Sequence, residues 1–129
     1  MGVTFFIGPF DPALWRDGTP DPVPTTDFRI DPEAYSKQLL VRWPHAISRS
    51  GSWTLAEPNE PGTDILLHDD LLYVGFTPGA NFTDFILWHR HVVPSKYLLF
   101  LFNSTSWDSL KLYIDTTRDE IRNFTRISD

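Results

Sequence analysis

Histidine is the residue type in this chain best suited to metal binding or to base chemistry near neutral pH, because the sequence has no cysteine. His89 and His91 lie two positions apart, and His68 stands directly before the pair Asp69–Asp70. Imidazole and carboxylate groups together suit a divalent transition metal. Residues two apart on a helix do not share a face, so such a site needs an extended backbone at His89 and His91. The plain alternative is a helix that carries these polar residues on its outer face.

The other residues that support catalysis lack the spacing that catalysis requires. Asp69 and Asp70 would point to opposite faces of a strand, and in a turn both are simply good turn formers. Three serines follow His45, but no Gly-x-Ser-x-Gly elbow accompanies them. The glycines fit neither the phosphate-loop pattern nor the dinucleotide-binding pattern. The sequence therefore assigns no catalytic residue, no metal ligand and no cofactor, and it favours a chain that is not an enzyme.

The net charge of −6 comes from one part of the chain. Residues 50–89 contain no Lys or Arg, whereas acids and bases nearly balance on either side of that window. Its acidic residues are Glu57, Glu60, Asp64, Asp69, Asp70 and Asp84. Such a segment repels phosphate backbones, so nucleic-acid binding is disfavoured. It attracts a basic protein and speeds its association.

Aromatic residues supply the second signal, since Phe, Trp and Tyr make up 15% of the chain. Three of the five tryptophans fall in predicted helices or strands, where they are expected in the core: Trp43, Trp53 and Trp88. Trp15 and Trp107 fall in predicted loops, where a large ring either anchors a partner or covers the core. The predicted partner-binding residues are therefore Trp15, Glu57, Glu60, Asp64, Asp69, Asp70 and Trp107.

These features predict a small, soluble, non-enzymatic protein that binds a protein partner through its acidic central segment and its loop aromatics. One concrete form is an inhibitor or immunity-type protein that covers a basic, nucleic-acid-cutting enzyme, with carboxylates standing in for phosphates. The alternative is a small enzyme with a non-standard His/Asp site, with or without a metal, using His68, His89 or His91 as a base. A homodimer through an uncovered sheet face is a third hypothesis.

The residue pattern predicts the fold class that must position these groups. The order of elements expected from the sequence is β-(long loop)-α-β-β-β-α-β-β-α. The strands are short apolar runs, two of the helices show helical periodicity, and the third begins with a strong cap. This order predicts an α+β fold with a mainly antiparallel sheet of five to six strands backed by two to three helices. We expect one domain over residues 1–129, with an irregular Pro-rich loop at about 8–24 that packs down at least partly.

Several element boundaries have local signals. Asp31 caps a helix that Pro44 ends, Thr83 is expected to cap a second helix, and Thr117–Glu120 forms a capping box for a third. Asp69–Asp70 is expected to form the two-residue turn of a hairpin. The apolar run Tyr97–Phe102 predicts a central strand covered on both faces.

The apolar segments are too short to cross a membrane, since none approaches eighteen residues. The first nine residues have no basic residue before their short apolar run, which is not the pattern of a secretory signal. The absence of cysteine fits a reducing compartment. We therefore predict a cytoplasmic protein.

Overall fold

A computed structural model describes residues 3–55 and 62–127. Its strands and α-helices follow the order β1 (Phe5–Gly8), α1 (Pro32–Arg42), β2 (Ile47–Arg49), β3 (Ser52–Thr54), β4 (Asp64–Leu67), β5 (Val74–Thr77), α2 (Phe82–Val92), β6 (Phe100–Asn103), β7 (Ser109–Lys111) and α3 (Arg118–Thr125). One short 3₁₀ turn, Pro12–Leu14, lies between β1 and α1. Within the described residues, no helix has the length and hydrophobicity needed to cross a bilayer.

The strands form one antiparallel sheet in the order β2-β3-β4-β5-β1-β6-β7, which confirms the predicted α+β class. The sheet has seven strands, one more than the upper expectation. The extra strand is β2, which pairs with β3 through Ile47↔Thr54. The connection at Gly51 has a positive φ of 76°, which glycine adopts without strain. Residues 47–54, which contain three serines, therefore form a short β-hairpin.

All three helices pack on the same face of the sheet and form the main core with it. Side-chain alternation along β1 turns Phe5 and Ile7 toward the helices, and both are almost completely buried. The helices contribute Tyr35 and Leu39 of α1, Phe85 and Ile86 of α2, and Ile121 of α3. Two of the tryptophans predicted in the core, Trp43 and Trp53, are buried, and Trp88 is partly buried against the same cluster.

The same alternation turns Phe6 of β1 and Phe102 of β6 to the opposite, outer face of the sheet, where they pair directly. The Pro-rich loop lies over this part of the outer face, because Phe10 is buried against Phe102 and Tyr73. The loop also folds back on itself, with the amide of Val23 donating to the carbonyl of Pro9 at 2.8 Å. The prediction that this loop packs down is therefore confirmed.

The local cap signals identify two of the three helix starts. Asp31 caps α1, its carboxylate accepting from the amide of Glu33 at 3.1 Å, and the capping box Thr117–Glu120 starts α3. The prediction for α2 was wrong, because its N-cap is Asn81 and Thr83 lies buried in the first turn. Asn81 has φ +69°, a left-handed conformation that asparagine tolerates and that lets the helix begin two residues earlier.

The predicted hairpin exists, but its connection is longer than two residues. Six residues, 68–73, join β4 to β5, and Leu71 within them has φ +63°. Asp-Asp does not favour the two positive φ values of a tight hairpin turn. Instead the Asp70 carboxylate accepts from the amide of Leu72 at 2.9 Å, and the carbonyl of Leu71 accepts from Ile30 at 2.7 Å.

The strand predicted over Tyr97–Phe102 is shorter and lies nearer the edge than expected. It begins at Phe100, because Tyr97 closes a turn by donating its amide proton to Pro94 at 3.0 Å. Its position is second from one edge of the sheet, between β1 and β7. Leu101 and Phe102 are nevertheless both buried, so both faces are covered at this point, as predicted.

Candidate partner-binding site

The outer face of the sheet contains a cavity of about 320 Å³, here called the aromatic cavity. Its lining consists of the side chains of Phe6, Phe10, Tyr73, Phe102 and Trp107, together with Pro20, Pro22 and Asp70. The rings come from the sheet, from the Pro-rich loop and from two hairpin connections. Among the described residues that line the cavity, Asp70 is the one that carries a charge.

The rings pack against one another in ordinary aromatic geometries. The ring centroid of Phe6 lies 6.1 Å from that of Trp107 in a stacked arrangement and 5.7 Å from Tyr73 edge-on. Phe10 meets Tyr73 edge-on at 5.2 Å. Aromatic pairs favour centroid separations of about 4.5–7 Å in these orientations. The cavity wall is therefore held by contacts among its own rings.

Two glycines in neighbouring strands make room for this wall. A Cβ atom on Gly8 would lie 2.6 Å from both the Phe10 ring and the Cβ of Tyr73. A Cβ on Gly75 would lie 3.0 Å from the Phe6 ring. Both distances are tighter than ordinary carbon–carbon contacts of about 3.5–4.0 Å. Glycine at these positions lets the rings lie close to the sheet.

Trp107 forms the rim of the aromatic cavity and remains 40% exposed. It has φ +61°, a conformation that costs a bulky residue about 1–3 kcal/mol and must be held by its surroundings. The loop supplies that support, since the amide of Trp107 donates to the carbonyl of Asn103 at 2.8 Å. The Asn103 side chain also accepts from the amides of Thr105 and Ser106.

Trp15 packs against Trp107, the residue that forms the rim of the cavity. Its ring lies 5.1 Å from that of Phe102 and 5.9 Å from that of Trp107, nearly perpendicular to the latter. The side chain is half-buried, and its indole Nε1 is buried with no hydrogen-bond partner among the described residues. The structure thus brings together the two loop tryptophans predicted as anchors, with Trp107 outermost.

The acidic residues predicted to bind a partner lie at different positions on the molecule where the structure describes them. Asp70 lines the aromatic cavity, and its carboxylate lies 3.2 Å from Nδ1 of His68, whose ring stacks on Tyr73 at 4.4 Å. Asp69 is exposed in the same connection, and Asp64 lies on the outward side of β4. Glu57 and Glu60 lie outside the described residues.

Asp84, the sixth acid of the window, belongs to the helical side of the molecule. It lies in the first turn of α2 and pairs with Arg118 and, at 3.9 Å, with Arg42. Its charge is therefore balanced by two guanidinium groups. The four described acids of this window therefore do not lie on one surface, since Asp84 is on the helical side and Asp64, Asp69 and Asp70 are not.

A shallow second depression of about 390 Å³, here called the sheet groove, continues across the outer face from the aromatic cavity and shares Phe6 with it. Leu66 is 62% exposed in this groove, next to Asp64. The Asp64 carboxylate accepts from the hydroxyl of Thr54 at 2.7 Å, and Arg49 also lines the groove. The groove is more polar in character than the cavity.

The three candidate histidines occupy different environments. His89 is 1% exposed in the main core, where its Nδ1 lies 2.7 Å from the hydroxyl of Tyr35. Burial, with a smaller contribution from the charge of Arg90, lowers the pKa of His89 to about 3. His91 is exposed on α2, and His68 lies beside the aromatic cavity. Among residues 3–55 and 62–127, no cluster of His, Cys, Asp or Glu is able to hold a metal ion.

The plain alternative, in which these histidines lie on the outer face of a helix, holds for His91 but not for His89. The hydrophobic residues of α2 place the side of Phe85 and His89 against the sheet and α1, and Tyr35 supplies the polar partner that allows burial. His91, two residues further on, points away from that side as helical geometry requires.

Sequence reasoning missed four of the rings of the aromatic cavity, namely Phe6, Phe10, Tyr73 and Phe102. One signal was available for Phe6, because Phe5, Phe6 and Ile7 leave no polar residue on either face of β1. Such a run indicates that the second face is also covered. Comparisons with known protein families, with curated proteins and with solved structures find no match for this chain.

Proposed function

We propose that this chain is a non-enzymatic binding protein that engages a protein partner through the outer face of its sheet, centred on the aromatic cavity. The observation that carries the proposal is the meeting of an exposed Trp107, a ring-lined cavity and the Asp70 carboxylate at one place. Concave apolar sites with few polar groups are typical binding sites, and tryptophan is enriched among residues that dominate binding energies.

The charge of this surface favours a basic partner. Asp69 and Asp70 lie in the connection beside the cavity, and Asp64 lies in the adjoining sheet groove. Such carboxylates accelerate encounter with a positively charged protein and disfavour nucleic acid. The more specific form of the proposal is an inhibitor or immunity-type protein, located in the cytoplasm, whose carboxylates occupy the phosphate sites of a nucleic-acid-cutting enzyme.

The proposal predicts that Trp107→Ala weakens partner binding by about 2 kcal/mol, or roughly thirtyfold, because the rim ring would be lost. The measurement is capture of a partner from lysate of the host at low salt, followed by the dissociation constant of the recovered protein. Affinity should also fall as salt is raised, since the steering charges become screened.

Tyr113→Ala provides the matched control, because Tyr113 is an exposed aromatic residue outside both outer-face depressions. It should bind the partner like the unchanged protein. If Trp107→Ala keeps full affinity while Tyr113→Ala loses it, the outer face is not the binding surface. Recovery of an acidic partner alone would overturn the inhibitor form.

One contact favours the second candidate, a small enzyme: the half-exposed His68 lies 3.2 Å from the Asp70 carboxylate at the edge of the cavity. A carboxylate that orients an imidazole is the arrangement a general base needs. The leading proposal predicts no change in melting temperature with zinc, manganese or nickel, before or after chelation. A rise with one metal that His68→Ala abolishes would favour the enzyme, because a ligand of the folded state raises its stability.

A further inference from the structure

We infer that the aromatic cavity receives an arginine side chain of the partner protein, with the guanidinium group stacked on the rings and paired with the Asp70 carboxylate. This inference rests on the proposed function and specifies the chemistry of its central contact. It is carried by the rings that face the cavity, by the position of Asp70 and by the absence of a competing cation in the lining.

The rings supply the surface that a guanidinium group stacks on. Trp107, Phe6 and Tyr73 line the same cavity, and a cation over an aromatic face within about 6 Å is attracted by the ring quadrupole, most strongly for Trp. Guanidinium is planar and more weakly hydrated than the lysine ammonium group, so less hydration is lost when it stacks on a ring. An apolar cavity with aromatic walls therefore favours arginine over lysine.

Asp70 supplies a carboxylate that is already oriented. One carboxylate oxygen accepts from the amide of Leu72 at 2.9 Å and lies 3.2 Å from His68, which fixes the side chain in its loop. A guanidinium group pairs with a carboxylate through geometrically defined N–H donors. Asp70 and Tyr73 line the same cavity, and burial, followed by the charge of Asp70, raises the pKa of Tyr73.

No Lys or Arg is among the described residues that line the aromatic cavity, so an entering cation meets no like charge from them. A different depression of about 330 Å³, near the ends of α2 and β7, is lined by Arg90, Lys96 and Lys111 and has the opposite character. The two depressions are thus distinguished by charge. Of these two depressions, the aromatic cavity is the one expected to attract a cation, because it contains Asp70.

The size of the aromatic cavity also fits a long side chain. Its volume of about 320 Å³ corresponds to roughly ten water molecules at about 30 Å³ each. This space leaves room for a long side chain, whose methylene groups would contact Phe10 and the two prolines of the lining.

The test uses three short peptides on the full chain: acetyl-Gly-Arg-Gly-amide, the same peptide with citrulline, and the same peptide with lysine. Citrulline keeps the planar shape of arginine but is uncharged. The readout is the NMR shift of the Trp107 indole N–H signal during titration. We expect saturable millimolar binding of the arginine peptide, and at least tenfold weaker binding of the other two peptides.

Asp70→Asn should reduce binding of the arginine peptide about tenfold while it keeps the hydrogen bond to Leu72. Asp119→Asn is the matched control, because Asp119 is a highly exposed carboxylate on α3, and it should change nothing. The comparison of arginine with citrulline needs no variant, so the inference stays testable if Asp70→Asn folds poorly.

Each other outcome overturns the inference in a recognisable way. Equal binding of arginine and citrulline would show a cavity that ignores charge, and tighter binding of lysine would show an alkylammonium site. Absence of any shift at Trp107 would exclude a cationic side chain from the cavity. None of these results decides the proposed function, which is judged separately by the loss of partner capture in Trp107→Ala.

Discussion

Replacement of Arg90 by methionine is expected to lower the free energy of unfolding by about 3 kcal/mol or more. Arg90 is 3% exposed, and its guanidinium group is surrounded by main-chain carbonyl groups. Methionine keeps most of the apolar volume but donates no hydrogen bond. The buried carbonyls would therefore lose their partners, which is the costly part of such a substitution.

The geometry explains the size of this effect. Nη1 of Arg90 donates to the carbonyls of Tyr97 at 3.2 Å and Leu112 at 3.3 Å, and Nη2 donates to those of Val93 at 3.1 Å and Pro94 at 3.0 Å. One side chain thus joins the end of α2 to the turn after it and to the chain leaving β7. The carbonyl groups at the end of a helix also favour a positive charge.

Urea unfolding of the unchanged protein, Arg90→Met and Arg29→Met measures this prediction. Arg29 is exposed, so its replacement should change stability by less than about 0.5 kcal/mol. Arg90→Lys should also be destabilising, because an ammonium group has three donors and cannot reproduce the planar fork. A loss below about 1 kcal/mol for Arg90→Met would contradict the role assigned to these four hydrogen bonds.

Acidification from pH 8 to pH 5 is expected to lower the free energy of unfolding by about 2 kcal/mol through His89 alone. The pKa of His89 is about 3 in the folded protein, because the ring is buried, compared with an ordinary value of 6.5. Between these two values the unfolded chain binds more protons than the folded one. Stability is therefore full above pH 6.5 and falls as the pH is lowered towards 3.

Two other described groups with a shifted pKa, Tyr35 and Asp27, do not interfere in this range. Burial raises the pKa of Tyr35, the hydrogen-bond partner of His89, so Tyr35 stays protonated. The Tyr97 hydroxyl lowers the pKa of Asp27 from 3.8, so Asp27 affects stability mainly below pH 5. The loss between pH 8 and pH 5 is thus assigned to His89.

Chemical unfolding at several pH values measures this dependence. His89→Asn should be nearly independent of pH over this range, since an amide oxygen still accepts from Tyr35 and carries no charge. His91→Asn is the matched control and should behave like the unchanged protein, because His91 is exposed. A pH dependence that persists in His89→Asn would show that another group titrates.

Local residue patterns are sufficient to predict the α+β class, the limits of α1, the start of α3, and the burial of Trp43 and Trp53. These features depend on interactions among residues close in sequence or on composition. Asp31 caps α1 through a residue two positions away, and the capping box of α3 spans three positions. Alternating and periodic apolar residues indicate which elements exist, but they do not specify which elements become neighbours.

Part of the candidate site was also within reach of the sequence. Trp15 and Trp107 stand out in the sequence as large aromatic residues in predicted loops, and Asp70 stands out as part of the acidic segment. The structure brings these three residues together. The apolar runs that contain Phe6 and Phe102 indicated only that both faces of their strands are covered, and Phe10 in its proline-rich loop did not indicate a binding site.

The place where the charges and the rings meet depends on contacts between residues that are far apart in the chain. The insertion of β1 between β5 and β6 places Phe6 beside Tyr73 and Trp107, although these residues are far apart in sequence. Asp84 lies on the helical side of the molecule, where it forms ion pairs with two arginines. Pairing between distant strands is a long-range choice set by the packing of the whole sheet, and no local pattern of residues specifies it.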